Sequence, residues 1–232
     1  MGLTWVITGT SRGIGAEFVK QLKNKGDTVI ACARNPDSSD ALKALVDGKQ
    51  VHAVKMDITD VASVKAATDK ISELAPEGID VLVNNSGVGT PQTEPLTIQP
   101  EAYTNDFNTN VVGTSIVIQA LVPLLRKRDT RRIINISSIM GSMECSTESF
   151  NPSYRVSKAA VNMLTRVFAA QLKDEGFVIV CVHPGWVQTD MGTHRAPLTT
   201  DQSIGGMLSA FDKLTKASNG TFFDYKGETL PW

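Results

Sequence analysis

Seven short runs of near-continuous apolar residues punctuate this 232-residue chain, with helix-period segments between them. The runs are 3–8 (LTWVIT), 27–33 (DTVIACA), 51–56 (VHAVKM), 79–84 (IDVLVN), 132–137 (RIINIS), 177–183 (FVIVCVH) and 220–224 (GTFFD). They do not alternate apolar with polar, as a strand with one wet face does. Strands buried on both faces read this way. The segments 13–25, 37–46, 60–75, 100–127, 154–174 and 200–217 predict helices, with Asp60 as an N-cap and Gly26 and Gly176 at helix ends. Strands alternating with helices imply right-handed crossovers, so the expected fold is α/β: a doubly wound, mostly parallel seven-stranded sheet with helices on both faces. Loops 87–99, 141–153 and 186–203 then fall at the carboxyl ends of strands, where open α/β sheets bind ligands.

Composition narrows the partners. An apolar share of 41% with only 6% aromatic residues suits aliphatic strands and Ala-rich helices. A formal net charge of -1 leaves no basic surplus for nucleic acid or an acidic membrane. Two of the three cysteines, Cys32 and Cys181, lie in apolar runs and read as small core hydrophobes; Cys145 is the odd one left over. No CxxC or Cys/His spacing points to a metal. Reduced thiols give a cytoplasmic expectation. The run at 3–8 stops at Gly9 with no basic leader or cleavage site, so no signal peptide is expected, and no apolar stretch reads as long enough to span a membrane.

The first run leads into Thr8-Gly9-Thr10-Ser11-Arg12-Gly13-Ile14-Gly15 and then a helix. Glycines let the backbone turn tightly and approach a pyrophosphate, and a helix N-terminus offers unpaired N–H groups and a positive dipole end. Such a turn also occurs with no ligand; its place at the start of a βαβ pattern favours a dinucleotide. The spacing is G-x-x-x-G-x-G. Further along come Asn84-Asn85-Ser86-Gly87, Asn110 within a helical segment, Ser138 in Ile-Ser-Ser-Ile-Met-Gly, Tyr154-Arg155-Val156-Ser157-Lys158, and His183-Pro184-Gly185-Trp186-Val187-Gln188-Thr189. In this order and register the set resembles the short-chain dehydrogenase/reductase superfamily over almost the whole chain. The resemblance implies one Rossmann-type domain, 1–232, with a cofactor half at about 1–100 and a catalytic half with substrate loops at about 101–232.

The resemblance also implies roles. Gly9, Ser11, Gly13, Ile14 and Gly15 would hold the pyrophosphate, and Ser86 and Gly87 would border the cofactor. NAD-binding relatives end the second strand with an acid that accepts from the ribose hydroxyls. Here Ala33 is followed by Arg34. A guanidinium suits a 2′-phosphate, and Arg12 can approach from the other side, so the expected cofactor is NADP(H). Both arginines also read as ordinary solvated side chains. Asp57 and Ile58 resemble the adenine contacts, although Asp57 also reads as a turn or cap residue. Asn84 resembles the residue near the adenosine that braces the central strand. Pro184, Gly185, Val187 and Thr189 would cradle the nicotinamide.

Hydride transfer to a carbonyl leaves an alkoxide that needs a proton. Tyr154 and Lys158 stand four apart on one helical face, and a nearby ammonium favours phenolate. The same spacing also occurs on ordinary helix surfaces. By resemblance, Tyr154 is the general acid/base. Lys158 lowers its pKa and binds the nicotinamide ribose, Ser138 polarises the carbonyl, and Asn110 holds a proton-relay water. Sixteen residues separate Ser138 from Tyr154, more than many relatives show, and the extra length falls in the 141–153 loop, where Met143, Glu144 and Phe150 are candidate liners. Residues 183–192 and the terminus GTFFDYKGETLPW resemble the C-factor and Sniffer-like carbonyl reductase branch. The expected activity is NADPH-dependent reduction of a ketone or aldehyde. The alternative is a nucleotide-bound signalling protein with little turnover. A homodimer or homotetramer is expected on resemblance alone.

Overall fold

The computed structural model describes residues 2–90 and 93–232, so residues 91 and 92 of the 87–99 loop and Met1 lie outside the described residues. The strands are β1 (Thr4–Thr8), β2 (Thr28–Ala33), β3 (Val51–Lys55), β4 (Val81–Asn84), β5 (Arg132–Ile136), β6 (Val178–His183) and β7 (Phe222–Asp224). They form one sheet in the order β3-β2-β1-β4-β5-β6-β7, and each ladder is parallel. The helices are α1 (Gly13–Lys25), α2 (Asp40–Lys43), α3 (Val61–Leu74), α4 (Pro100–Phe107), α5 (Thr114–Leu125), α6 (Pro152–Gln171) and α7 (Thr200–Asp212). The expected Rossmann-type sheet is therefore present and wholly parallel. Strand order reverses between β1 and β4, and the crevice beyond their carboxyl ends is where such sheets take ligands.

Both faces of the sheet are dry, which explains the unalternating apolar runs. Trp5, Ile7, Val29, Ala31, Val180 and Val182 face α1 and α7, while Val6, Ile30, Leu82, Ile133 and Ile179 face α3, α5 and the end of α6. Phe18 of α1 stacks on Phe211 of α7 with centroids 6.2 Å apart, locking two helices separated in sequence. Full burial of one such ring contributes about 1.5–3 kcal/mol. Asp27 accepts from the Leu3 N–H and from the Trp5 indole, so the one polar atom of that buried tryptophan is satisfied.

Local signals hold where the backbone dictates them. Asp60 caps α3 by accepting from the N–H groups of Ala62 and Ser63, and Gly26 and Gly176 sit at left-handed helix ends. Four helices differ from expectation, and one of them, α7, stops at Asp212 rather than at 217. The 37–46 segment yields a 3-10 turn at Pro36–Ser38 and the single turn of α2, whose one buried side chain, Leu42, is too little to stabilise more. α6 begins at Pro152, two residues early, because proline fits the first helical turn. The 100–127 segment is α4 and α5 joined by a π-helical turn, Asn108–Gly113. Taken through that turn, Pro100–Leu125 is long and apolar enough to cross a membrane, which corrects the expectation that no such stretch exists. Its Val117, Ile118, Leu121, Leu124 and Leu125 are buried in the core beside the sheet.

Candidate active site

The glycine turn is braced from below by β4. The Thr8 hydroxyl accepts from the N–H groups of Asn85 (3.1 Å) and Ser86 (3.0 Å), and Asn85 Nδ2 donates to the carbonyls of Thr8 (2.9 Å) and Gly9 (3.0 Å). Gly9 and Gly13 take positive φ, +72° and +56°. A Cβ on Gly9 would lie 2.9 Å from the Ser86 backbone, and one on Gly13 would lie 3.2 Å from Thr189 Cγ2. Gly15 is buried under the turn and Ile14 packs against the core beside it. Among the described residues no side chain caps α1 and no acid stands in its first turn, which leaves its N–H groups for an anion. The Ser39 hydroxyl, at the cap of α2, donates to the Ser11 carbonyl and ties the segment after β2 to the turn.

Arg34 is exposed just past the end of β2, as expected. Its charge acts on Asp57, whose carboxyl is lowered mainly by hydrogen bonds from the Thr59 N–H and hydroxyl. Asp57 thus holds the turn after β3. Arg12 pairs at 3.1 Å with Asp190, across the mouth of the groove, rather than standing free. Ile58 is buried against Gly113, where a Cβ would approach it to 2.9 Å. Asn84 turns inward: its Nδ2 donates to Asn135 Oδ1 at 2.8 Å, bracing β4 on β5.

The segment after β6 forms the opposite wall. The Pro184 carbonyl accepts from the Ser203 hydroxyl at 2.6 Å, pinning it to α7. Gly185 has φ +83° and leaves no room for a Cβ beside Leu198 and Tyr225. Val187 is buried, and the Thr189 hydroxyl accepts from the Gly192 N–H at 3.0 Å. His183, just before this wall, has its pKa pulled down to about 4 by burial, against the raising charge of Asp224.

The four residues expected to react converge at the carboxyl end of the sheet. Ser138, Lys158 and Asn110 are buried and Tyr154 is half-buried. Lys158 Nζ donates to the Ile136 carbonyl at 2.9 Å and lies 5.5 Å from the Tyr154 ring centroid. Burial drops its pKa to about 8, against the raising charge of Asp106. Burial pushes the Tyr154 phenol up to about 12, a hydrogen bond with Ser138 pulls it down, and Asp106 adds to the rise. A nearby ammonium favours phenolate, as the spacing suggested, but the largest influence on this phenol is burial, which acts the other way. Asn110 sits within the π turn. Its Nδ2 donates to the Val88 carbonyl (2.8 Å) and to Ser157 Oγ (2.9 Å), and its Oδ1 accepts from the Val88 N–H (2.9 Å). Gly87 lies in the gap between: a Cβ there would be 3.3 Å from Asn110 Oδ1 and 3.5 Å from Lys158 Nζ. Gly87 thus keeps the space between the two side chains free of a Cβ.

Of the loop residues named from sequence, Met143, Glu144 and Phe150 are all exposed. Arg155 holds the 141–153 loop, donating to the Phe150 carbonyl at 2.7 Å and stacking over the Phe150 ring at 4.7 Å. The Glu144 N–H donates to the Trp232 carbonyl, and Trp232 packs on Phe222 of β7. Pro231-Trp232 therefore secures the loop's far side to the sheet. Sequence reasoning missed Asn85, which buttresses the glycine turn, and Ser157 and Asp106, which bind α4 and the π turn after it to α6. The tandem Asn84-Asn85 was the only local signal for any of them.

The short chain dehydrogenase family profile matches residues 4–198. C-signal of Myxococcus xanthus is 41% identical, aligning 66% of this chain with 93% of that protein. The carbonyl reductase Sniffer of D. melanogaster superposes with a TM-score of 0.96 at 29% identity, covering 100% of both chains. An NADPH-bound carbonyl reductase from chicken fatty liver gives 0.93 at 31% identity, covering 100% of this chain and 99% of that one. The sheet order, the glycine turn at the switch point and these likenesses agree: the chain belongs to the short-chain dehydrogenase family, in the branch that holds C-signal and Sniffer.

Proposed function

We propose that this oxidoreductase reduces a ketone or aldehyde to an alcohol with NADPH, with Tyr154 as the acid. The observation that carries the reading is the convergence of Ser138, Tyr154, Lys158 and Asn110 beside the groove that starts at the glycine turn. In this reading Gly9, Ser11, Gly13, Ile14, Gly15 and the N-terminus of α1 hold the pyrophosphate. Arg34 takes the 2′-phosphate, Arg12 joins it by leaving its exposed pair with Asp190, and the 184–189 segment flanks the nicotinamide. The NADPH-bound chicken enzyme supports this choice of cofactor.

When bound, the dinucleotide would supply the hydride that the carbonyl carbon accepts. Ser138 Oγ donates to the carbonyl oxygen and holds it beside the phenol. Tyr154 releases its proton to that oxygen as negative charge develops there. With its pKa pushed up to about 12, the resting phenol holds its proton, the form from which a reduction starts. The Lys158 ammonium stabilises the phenolate left behind, and its proton returns through the gap that Asn110 borders above Gly87.

The test is nicotinamide absorbance with NADPH and with NADH, against aromatic aldehydes, diketones, quinones and cyclic ketones. NADPH consumption is expected, and a preference for NADH overturns the cofactor reading. Arg34→Ala is expected to weaken NADPH about tenfold to a hundredfold while leaving NADH unchanged, since one charge-assisted contact is worth about 1.5–3 kcal/mol. Equal losses for both nucleotides would mean that Arg34 does not meet a 2′-phosphate.

We also propose that the chain forms a homodimer or tetramer through α4, α5 and α6. Phe107, Val112, Val156, Met163 and Val167 are large apolar side chains left exposed on this side of the molecule. Light scattering at assay concentration should give a multiple of 25.0 kDa; a monomeric mass sinks the idea.

A further inference from the structure

Asp106 is a fully buried carboxylate near the reacting groups that the reaction scheme leaves without a task. It sits at 0% exposure in the last turn of α4. Both of its oxygens accept hydrogen bonds. Oδ2 takes the Ser153 hydroxyl at 2.7 Å and the Thr90 N–H at 3.3 Å, and Oδ1 takes the Thr90 hydroxyl at 3.2 Å and the adjacent Asn105 amide at 3.4 Å. Every partner donates, which suits an ionised carboxylate. A carboxylate also complements the positive end of the 20-residue helix α6, whose first turn carries Ser153.

The placement repeats one turn along. Asp106 and Asn110 are four apart, as are Ser153 and Ser157. The pairs Asp106–Ser153 and Asn110–Ser157 form two rungs onto α6, the first from α4 and the second from the π turn that follows it. Each rung also grips the segment after β4: Asn110 holds Val88 and Asp106 holds Thr90. Gly89, between them, lies flat against Tyr154; a Cβ on it would be 2.9 Å from ring carbon Cδ2. Ser153 is the residue before Tyr154. The carboxylate thus acts on both sides of the tyrosine, through the helix that carries it and through the backbone packed on its ring.

We propose that Asp106 is a positioning residue for the reacting pair: its carboxylate clamps Ser153 to Thr90, fixes the Tyr154 ring between α6 and Gly89, and sets a standing negative charge beside Tyr154 and Lys158. Among the described residues the ionisable side chains facing Lys158 are Asp106 from α4, the Cys181 thiol of β6, which burial keeps neutral, and Tyr154 on its own helix; Tyr154 faces Asp106 and Lys158, with Ser138 as its hydrogen-bond partner. The charge keeps a proton on Lys158 and on the phenol, so the resting site stands ready to donate.

This inference rests on the reading of Tyr154 and Lys158 as the reacting pair, so its test reads Lys158 directly and needs no turnover. Lysine side chains are labelled with 13C and 15N, and the Lys158 resonance is assigned by its loss in Lys158→Arg. The wild type should titrate near 8. Asp106→Asn keeps the shape and removes the charge, and should lower that midpoint by about half a pH unit or more. An unmoved midpoint in a folded Asp106→Asn protein overturns the proposal. Thr90→Val with Ser153→Ala keeps the charge and cuts the clamp, and carries the test if Asp106→Asn does not fold. The double variant should lower kcat at least fivefold on whichever carbonyl the panel identifies, with KM for NADPH unchanged; an unchanged kcat overturns the clamp.

Discussion

Tyr154→Phe is expected to lower carbonyl reduction by about 10²–10⁴-fold, the range a positioned acid contributes. At a thousandfold this is about 4 kcal/mol of barrier. The substitution is clean because every ring carbon that meets Gly89 is retained and only the hydroxyl beside Ser138 goes. NADPH affinity should therefore stay within about tenfold, since the pyrophosphate wall is untouched and a lost hydroxyl contact is worth about 1 kcal/mol. Steady-state rates together with fluorescence titration of NADPH separate the two effects. A variant that keeps a tenth of the wild-type rate would remove Tyr154 from the role of proton donor.

Gly15→Ala should weaken cofactor binding, the property that Tyr154→Phe leaves nearly intact. The added methyl would overlap the Gly9 carbonyl oxygen and lie 2.7 Å from Asn85 Nδ2 and 2.9 Å from the Gly9 carbonyl carbon. Two of these atoms are backbone, so no rotamer change relieves the clash, and the turn itself must lift off β4. Overpacking of this kind costs about 1–3 kcal/mol, or several degrees in Tm for a chain of this size. NADPH and NADH should both weaken by about a hundredfold, because a displaced turn no longer presents its N–H groups to the pyrophosphate. Gly26→Ala is the control. Its φ of +87° makes alanine strained, yet nothing lies within 4 Å of the added carbon. It should lower Tm and leave nucleotide affinity alone. If Gly15→Ala binds NADPH as the wild type does, the glycine turn is not the pyrophosphate site.

What the sequence made legible is what short-range physics decides. Aliphatic runs without alternation announce strands buried on both faces, and all seven are found within a few residues of where they were expected. Asp60, Gly26 and Gly176 act through their own backbone neighbours. Tyr154 and Lys158 share a face because four residues make about one turn. The π turn was hidden because it follows from a tertiary bond: the Asn110 amide reaches Val88, twenty-two residues away, and nothing in 100–127 encodes that partner. Asp106 was hidden for the same reason, since its partners Thr90 and Ser153 lie on two other segments. Desolvation also escaped the sequence. The spacing of Tyr154 and Lys158 shows their attraction but not how dry their surroundings are, and dryness raises one pKa and lowers the other.

The inward turn of Asn84 bears on how the chain finds one alignment among several. Aliphatic parallel strands are nearly degenerate: slide β4 two residues towards the carboxyl end of β5 and Val81 and Val83 would meet Ile134 and Ile136, on the same face as before. The polar thread running from Asn84 to Asn135, from Asn135 to Thr165 at 2.8 Å, and from Thr165 to the Cys181 sulfur at 2.9 Å breaks that degeneracy. Any slip parts two buried amides and leaves them facing hydrocarbon, a penalty of about 1–3 kcal/mol for each stranded group. A few polar atoms in an otherwise oily sheet thus act as an indexing mark, and the mark is cut at the end of β4, where the segment that grips Tyr154 begins.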